Sequence, residues 1–248
     1  MQSNFYFTGN FSNIYKKPLK KSEITSQIIY GENFKILSKN KSWIKIRTLF
    51  DNYIGFVRNS KYIEKFNPNY KVSSLKARIF KKPGTRTNGW LPFASKLSVL
   101  EQNKNYIKIE KNRWIKKKDV KKLNHKDMNF VKIFKKFLNV KYVWGGKTYK
   151  GIGCSALLQT FFNYNNSFYP RDTKDQIKYT KKNKKKRKFN KGDIIFWKGH
   201  VAMCLNSKQL IHAYGPEKKV IIMPIMETIN RIQRTAKLKI KKISRIKY

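Results

Sequence analysis

Cys154 is the residue in this sequence best placed for nucleophilic chemistry. It follows a glycine-punctuated segment, WGGKTYKGIG, and precedes an apolar one, SALLQTFFNY, whose hydrophobic spacing predicts a buried helix. A thiol in the first turn of a helix lies at the positive end of the helix dipole and near unpaired backbone N–H groups, which favour the thiolate. The position predicts a nucleophile. A buried core cysteine is the alternative, because free cysteines are commonly buried.

Two histidines lie downstream in segments with the character of strands. GDIIFW at 192–197 predicts a turn and a strand, His200 opens HVAMCL, and His212 lies within LIHAY. A thiol with one imidazole as base and a further polar group that orients it is the arrangement of thiol hydrolases. For His212 a buried core imidazole is the alternative, and Cys204, in mid-strand, is interpreted as a small apolar core residue.

The helices and strands predicted around these residues indicate an α+β domain. DMNFVKIFKKFLN at 127–139 has one apolar helical face, and ETINRIQRT predicts a short helix. Asp172, in the PRD sequence, fits a helix N-cap. The charged run 181–188 predicts a solvated loop, and the alternation in KLKIKKISRI predicts a final edge or central strand.

The N-terminal half reads as short strands separated by turns. The strands at 14–66 are spaced as in a small barrel, and 72–124 repeats their landmarks more weakly at a period of about sixty residues. Two β-barrels in tandem are therefore predicted. The expected domains are 1–68, 69–125 and 126–248.

The motifs YVWGG, GIGCS, PRDTKDQ, GDIIFW, HV and IHA occur in an order that resembles the NlpC family of papain-like cysteine peptidases, which cut bacterial cell-wall peptides. The resemblance runs from about Asp127 to the C-terminus. It implies an antiparallel sheet and a helix that bears the nucleophile. The order GENFKIL, WIKI and IGFV resembles the bacterial SH3-like domain that often accompanies such peptidases.

The resemblance assigns roles to six residues. Cys154 is expected to be the nucleophile, His200 the base and His212 the group that orients His200. Tyr142 matches a family tyrosine whose hydroxyl points at the reacting centre, although a plain core aromatic is the alternative. Trp144 and Ser155 are expected to contact substrate.

The substrate class also follows from the resemblance. Peptidases of the dipeptidyl-peptidase VI type cleave the γ-D-glutamyl to diamino-acid bond of stem peptides with a free N-terminal L-Ala, and their SH3-like domain walls off the pocket. The family usually has an aspartate before the nucleophile, where this chain has Gly153. A thiol-dependent amidase or acyltransferase, or a non-catalytic binder of wall peptides, remains an alternative.

The composition and charge of the chain limit which partners and cofactors are expected. The 248 residues include 58 Lys+Arg against 13 Asp+Glu, a formal charge of +45. The lysines occur in every segment instead of one face, so we interpret them as compositional bias and expect no specific nucleic-acid partner. We predict no metal and no cofactor, because no His/Cys/Asp/Glu cluster has ligand spacing. With neither a signal peptide nor a membrane span in the sequence, a cytoplasmic protein is expected.

Overall fold

A computed structural model describes residues 4–181 and 188–246 of the chain. The chain divides into two compact units, Met1–Lys126 with Asn163–Asn166, and Asp127–Phe162 with Ser167–Tyr248. Residues 182–187, which carry most of the predicted lysine-rich loop, lie outside the described residues. The boundaries predicted at 68/69 and 125/126 stay predictions.

The first part of the N-terminal unit is a seven-stranded antiparallel sheet in the order β3-β2-β6-β5-β4-β1-β7. Its strands are β1 (Phe5–Phe7), β2 (Phe11–Tyr15), β3 (Ile24–Ile29), β4 (Asn33–Lys39), β5 (Trp43–Thr48), β6 (Ile54–Arg58) and β7 (Tyr62–Ile63). Alternate residues such as Ile14, Ile44 and Ile46 are buried on one face, as the sequence predicts. The order is linear in the described residues, so hydrogen bonds do not close this sheet into the predicted barrel.

The second part of the N-terminal unit consists of two sheets. Its strands are β8 (Tyr70–Val72), β9 (Lys76–Lys82), β10 (Thr85–Pro92), β11 (Lys96–Leu97), β12 (Glu101–Gln102), β13 (Tyr106–Glu110), β14 (Arg113–Lys116) and β15 (Val120–Lys122). One sheet has the order β10-β9-β14-β13-β12 and the other β11-β8-β15. Among the described strands, hydrogen bonds do not join this part into one closed sheet, because β15 pairs with β8 in a separate sheet.

A partly buried polar network connects the two parts of this unit. The Tyr30 hydroxyl donates to Glu110 Oε1 at 2.6 Å, and Arg113 Nη1 lies 3.1 Å from the same oxygen. Arg113 also donates to the Thr8 carbonyl and to Asn10 Oδ1. Burial, followed by the Glu110 contact, raises the pKa of Tyr30. The network therefore holds a neutral phenol against a paired carboxylate.

The C-terminal unit contains a five-stranded antiparallel sheet in the order β21-β20-β19-β18-β22. These strands are β18 (Asp193–Trp197), β19 (His200–Cys204), β20 (Gln209–Tyr214), β21 (Lys219–Pro224) and β22 (Lys242–Arg245), and a two-stranded ribbon is formed by β16 (Lys147–Thr148) and β17 (Gly151–Ile152). The predicted last strand is thus an edge strand. Ile195, Trp197 and Leu210 pack in one hydrophobic cluster with Ile225 and Ile232.

Four α-helices and a 3-10 turn complete the described residues: α1 (Phe130–Lys135), α2 (Cys154–Tyr164), α3 (Thr173–Tyr179), α4 (Ile225–Ala236) and Lys117–Asp119. Phe130 and Phe134 of α1 pack against Phe161 of α2. Helix α1 is shorter than its apolar spacing predicts, since Asn129 caps its start. Within residues 4–181 and 188–246, no helix has the length and apolar character needed to cross a membrane.

Candidate active site

Cys154 is the first residue of α2, as the sequence predicts. The backbone N–H of Leu157 donates to the Gly153 carbonyl at 2.9 Å, which makes Gly153 the N-cap position. The Cys154 side chain is buried, and its Sγ lies 3.9 Å from the carbonyl oxygen of Gly199. The thiol is therefore held beside the residue that precedes His200.

Close backbone packing explains the glycines before the thiol. A Cβ on Gly146 would lie 2.5 Å from the Gly151 carbonyl oxygen, and a Cβ on Gly151 would lie 2.2 Å from Val143 Cγ2. Gly153 differs, because a Cβ there would meet its nearest atom, the Val143 carbonyl oxygen, at 3.5 Å. Two of these glycines are needed for close approach, whereas position 153 has room for a side chain.

A tight hairpin between β18 and β19 presents His200. Trp197 pairs with His200 across the hairpin, and Gly199 has φ +76°, a conformation that favours glycine. The His200 ring lies 5.6 Å from that of Trp197 and 5.7 Å from that of Tyr214, centroid to centroid. Aromatic neighbours and the turn thus define the position of the imidazole.

His200 and His212 form a direct imidazole pair. His200 Nε2 lies 2.9 Å from His212 Nδ1, and the His212 side chain is buried. A cavity of about 10 Å³ is lined by both Cys154 and His212, together with apolar residues. His212 thus contacts His200 and shares a cavity with Cys154, and Cys154 Sγ lies near the carbonyl of Gly199, the residue before His200.

Burial controls the charge of these groups. It lowers the pKa of His200 to about 4, and burial followed by the neighbouring His200 lowers the pKa of His212 well below its ordinary value. Burial also raises the pKa of Cys154, against the lowering effects of backbone hydrogen bonds from Val201 and Ser155. Both shifts oppose the predicted bias towards a thiolate, since burial disfavours the charged forms of the thiol and the imidazole.

Ser155 is braced by residues from the PRDTKDQ segment. Arg171 Nη1 donates to Ser155 Oγ at 3.0 Å, and Arg171 Nη2 donates to the Gly145 carbonyl at 3.0 Å. Gln176 Nε2 donates to the Ser155 carbonyl. The sequence predicts a helix cap in this segment. Asp172 does occupy the N-cap position of α3, but its side chain makes no capping hydrogen bond.

The two aromatic candidates differ in their surroundings. Burial, followed by the charge of Cys154, raises the pKa of Tyr142, so the phenol lies within electrostatic range of the thiol. The side chain of Trp144 is 59% exposed. Tyr142 fits a group near the reacting atoms, and Trp144 fits a surface that a ligand could cover. In the part of the chain that the structure describes, no group of three or more His, Cys, Asp and Glu residues could hold a metal ion.

Comparison with protein families agrees with this geometry. Residues 139–237 match the NlpC/P60 family, and residues 14–61 match the bacterial dipeptidyl-peptidase Sh3 domain. The chain carries an NlpC/P60 domain preceded by an SH3-type domain. It is a cysteine peptidase.

Two relatives match most of the length of this chain. The gamma-D-glutamyl-L-lysine dipeptidyl-peptidase of Bacillus subtilis is 24% identical over 83% of this chain and 77% of its own length. Dipeptidyl-peptidase 6 of Lysinibacillus sphaericus is 23% identical over 82% of this chain and 84% of its own length.

A solved structure shares the fold. An NlpC/P60 family protein from Bacillus cereus has a TM-score of 0.82 to this chain at 18% identity, covering 98% of this chain and 99% of its own. The predicted α+β class, with an antiparallel sheet and a helix that bears the cysteine, is confirmed.

Proposed function

We propose that this protein is a cysteine endopeptidase that hydrolyses the γ-D-glutamyl to diamino-acid bond of short peptidoglycan stem peptides with a free N-terminal L-Ala. The observation that carries the proposal is the His200–His212 pair at 2.9 Å beside a thiol at a helix start. A thiol, a base and a group that orients the base are what acyl transfer through a thioester requires.

Cys154 Sγ attacks the γ-carbonyl carbon of the D-glutamyl residue while its proton moves to His200. The tetrahedral oxyanion is stabilised by the backbone N–H of Cys154 at the start of α2. Collapse breaks the C–N bond, and the His200 imidazolium gives its proton to the leaving amine. Water, deprotonated by His200, then hydrolyses the thioester and regenerates the thiol.

The other named residues support this sequence of steps. His212 accepts a hydrogen bond from His200 and so orients it. Arg171 holds Ser155 in place, and both lie next to the nucleophile in the fold. Tyr142 can donate its phenolic proton near the reacting carbonyl, because its raised pKa keeps it protonated at neutral pH.

The choice of substrate is supported by the names of relatives. Two of them, from Bacillus subtilis and Bacillus cereus, are called gamma-D-glutamyl-L-lysine dipeptidyl-peptidases. The requirement for a free N-terminal L-Ala follows from the family resemblance. Recycling of wall peptides in the cytoplasm is the corresponding predicted role.

The test is incubation with L-Ala-γ-D-Glu-L-Lys and with L-Ala-γ-D-Glu-diaminopimelate, followed by mass-spectrometric detection of the L-Ala-D-Glu dipeptide. Cys154→Ala should abolish release, whereas Cys204→Ala, at a buried cysteine outside the site, should retain it. Release of dipeptide by Cys154→Ala, or transfer of the acyl group to an added amine without hydrolysis, would contradict the proposal.

Iodoacetamide provides a measure of the thiols that does not depend on substrate. Cys154 is 7% exposed and Cys204 is 0% exposed. Cys154 should therefore be alkylated faster at neutral pH, as peptide mapping would show. Equal rates, or preferential labelling of Cys204, would contradict the assignment of the nucleophile.

A further inference from the structure

The thioether of Met223 is the partner of the second ring nitrogen of His212. His212 Nε2 lies 3.4 Å from Met223 Sδ, within hydrogen-bond distance for sulfur. His212 is 1% exposed and Met223 5% exposed. In the β20–β21 register Leu210 pairs with Met223 and His212 with Ile221, so His212 and Met223 are diagonal neighbours on one face of the sheet. The contact is thus built into the sheet.

A thioether sulfur can accept a hydrogen bond but has no proton to donate. The contact is therefore satisfied when Nε2 of neutral His212 carries the ring proton. Nδ1 of His212 then has a free lone pair, and it accepts from His200 Nε2–H across the 2.9 Å contact. With its proton on Nε2, His200 keeps Nδ1 unprotonated and able to take the proton of the thiol.

The opposite tautomer would leave the base unable to act. A proton on Nδ1 of His212 would be donated to His200 Nε2, which would place the single proton of neutral His200 on Nδ1. That nitrogen could no longer accept the proton of Cys154. The tautomer of His212 therefore decides whether the His200 base is competent.

We propose that Met223 is a positioning residue whose sulfur fixes the tautomer of His212, and through it the proton on His200. The inference rests on the proposed function, in which His200 is the base. Stacking of the His212 ring on Tyr214, with centroids 4.5 Å apart and planes at 11°, fixes the ring plane in which Nε2 faces the sulfur.

Nitrogen-15 NMR of histidine-labelled protein tests the tautomer directly, since the chain has three histidines. We expect a protonated Nε2 and an unprotonated Nδ1 on His212, and the same pattern on His200. Met223→Leu should give mixed tautomers at both rings. Ile225→Leu, a substitution in the same hydrophobic cluster that removes no polar atom, should keep the wild-type pattern. A protonated Nδ1 on wild-type His212, or an unchanged pattern in Met223→Leu, would overturn the proposal.

Norleucine supplies the kinetic arm, because it replaces sulfur by a methylene at nearly constant shape. The chain has five methionines. Norleucine in the wild-type chain and Met223→Leu should each lower kcat for tripeptide cleavage about tenfold with little change in KM, as expected for loss of one weak hydrogen bond. Norleucine at the other four positions of Met223→Leu should lower kcat no further.

Full kcat in the norleucine wild-type protein would overturn the proposal, even if Met223→Leu were inactive through poor folding. If wild-type protein cleaves neither tripeptide, the proposed function fails. The NMR spectra then still decide the tautomer, so the two failures are distinguishable.

Discussion

At the scale of single residues, Cys154 and His200 both lose water on folding, and this determines where the proton rests before reaction. Papain-like sites are often described by a thiolate–imidazolium pair, which the helix start would favour. Here burial raises the pKa of Cys154 and lowers that of His200 to about 4. Both shifts oppose a thiolate–imidazolium pair, and the tautomer of a neutral His200 then matters for accepting the thiol proton.

The stability of the protein should fall in mild acid because of these histidines. The folded-state pKa of His200 is about 4 and the ordinary value is 6.5, so the unfolded chain binds the proton first. Stability is fully present above about pH 6.5 and is lost as pH falls towards 4. The contribution of His200 should decline by about 2 kcal/mol between pH 7.5 and 5.

Urea titrations at several pH values would measure this decline. His200→Gln should remove the contribution of His200, whereas His125→Gln, at an exposed histidine, should leave the dependence unchanged. A free energy of unfolding that is flat between pH 7.5 and 5 would contradict the assignment of His200 as a buried neutral imidazole.

Gly153 is a second residue whose environment has a functional consequence. Its carbonyl accepts the first hydrogen bond of α2, and a Cβ at this position meets no atom closer than 3.5 Å. By resemblance, an aspartate at this position contacts the amino end of the substrate. A Cβ has room at this position, so crowding at the Cβ does not account for the glycine.

Gly153→Asp should lower KM for tripeptides with a free amino terminus by about tenfold, because a carboxylate would pair with the ammonium group. It should also raise the pKa of Cys154 by like-charge repulsion. Gly153→Asn is the matched control, since it can cap the helix without a charge. The measurement is KM for free and N-acetylated tripeptides. Equal effects of Asp and Asn would exclude the charge as the cause.

At the scale of elements, the sequence predicts strands and helices but not which distant strands pair. The glycine-rich segment, the apolar run after Cys154 and the strands around His200 and His212 follow from spacing that is local in the chain. Whether two strands distant in sequence pair to close a barrel depends on register and twist, which a period of two does not encode. The sequence therefore does not indicate that β15 pairs with β8 in a sheet of its own with β11.

In the candidate active site, too, the sequence does not predict contacts between residues that are distant in the chain. The catalytic roles proposed for Cys154, His200 and His212 can be predicted from their residue types. The roles of Arg171 and Met223 cannot be predicted from their residue types. In the sequence Arg171 resembles a surface charge, although it is buried and donates to Ser155. Met223 resembles a core side chain, although its sulfur lies within hydrogen-bond distance of His212. The PRDTKDQ segment carried the only signal for Arg171. The signal for Met223 exists only in the β20–β21 register.

The hairpin that presents His200 can be tested as an element. Gly199→Ala forces an L-residue to adopt φ +76°, and it should cost about 1 kcal/mol of stability without a steric clash. Gly84→Ala is matched, since Gly84 has φ +85° and also has open space around its Cβ position. Thermal unfolding should show similar losses, but only Gly199→Ala should lower kcat for tripeptide cleavage. Equal kcat values would mean that the turn does not position His200.

At the scale of the whole molecule, the charge of +45 is the dominant property. Repulsion between such highly charged molecules favours solubility, and the positive charge attracts polyanions. The acidic side chains in the described residues are largely used locally: Glu110 binds Arg113, Glu217 binds Arg231, and Asp193 lies near Arg245. The charge therefore predicts non-specific attraction, which must be separated from recognition.

Binding to duplex DNA can distinguish non-specific attraction from sequence recognition. If the lysines are a compositional background, affinity should be equal for two duplexes of unrelated sequence and should fall steeply with salt, because released counterions drive the association. Fluorescence anisotropy between 50 and 300 mM NaCl, a range of about sixfold in ionic strength, measures both quantities. A duplex competitor at about physiological salt should leave tripeptide cleavage unchanged, since Cys154 and His212 are buried and His200 is only partly exposed. Selective binding to one sequence, or an affinity that salt does not reduce, would show that the basic surface recognises nucleic acid.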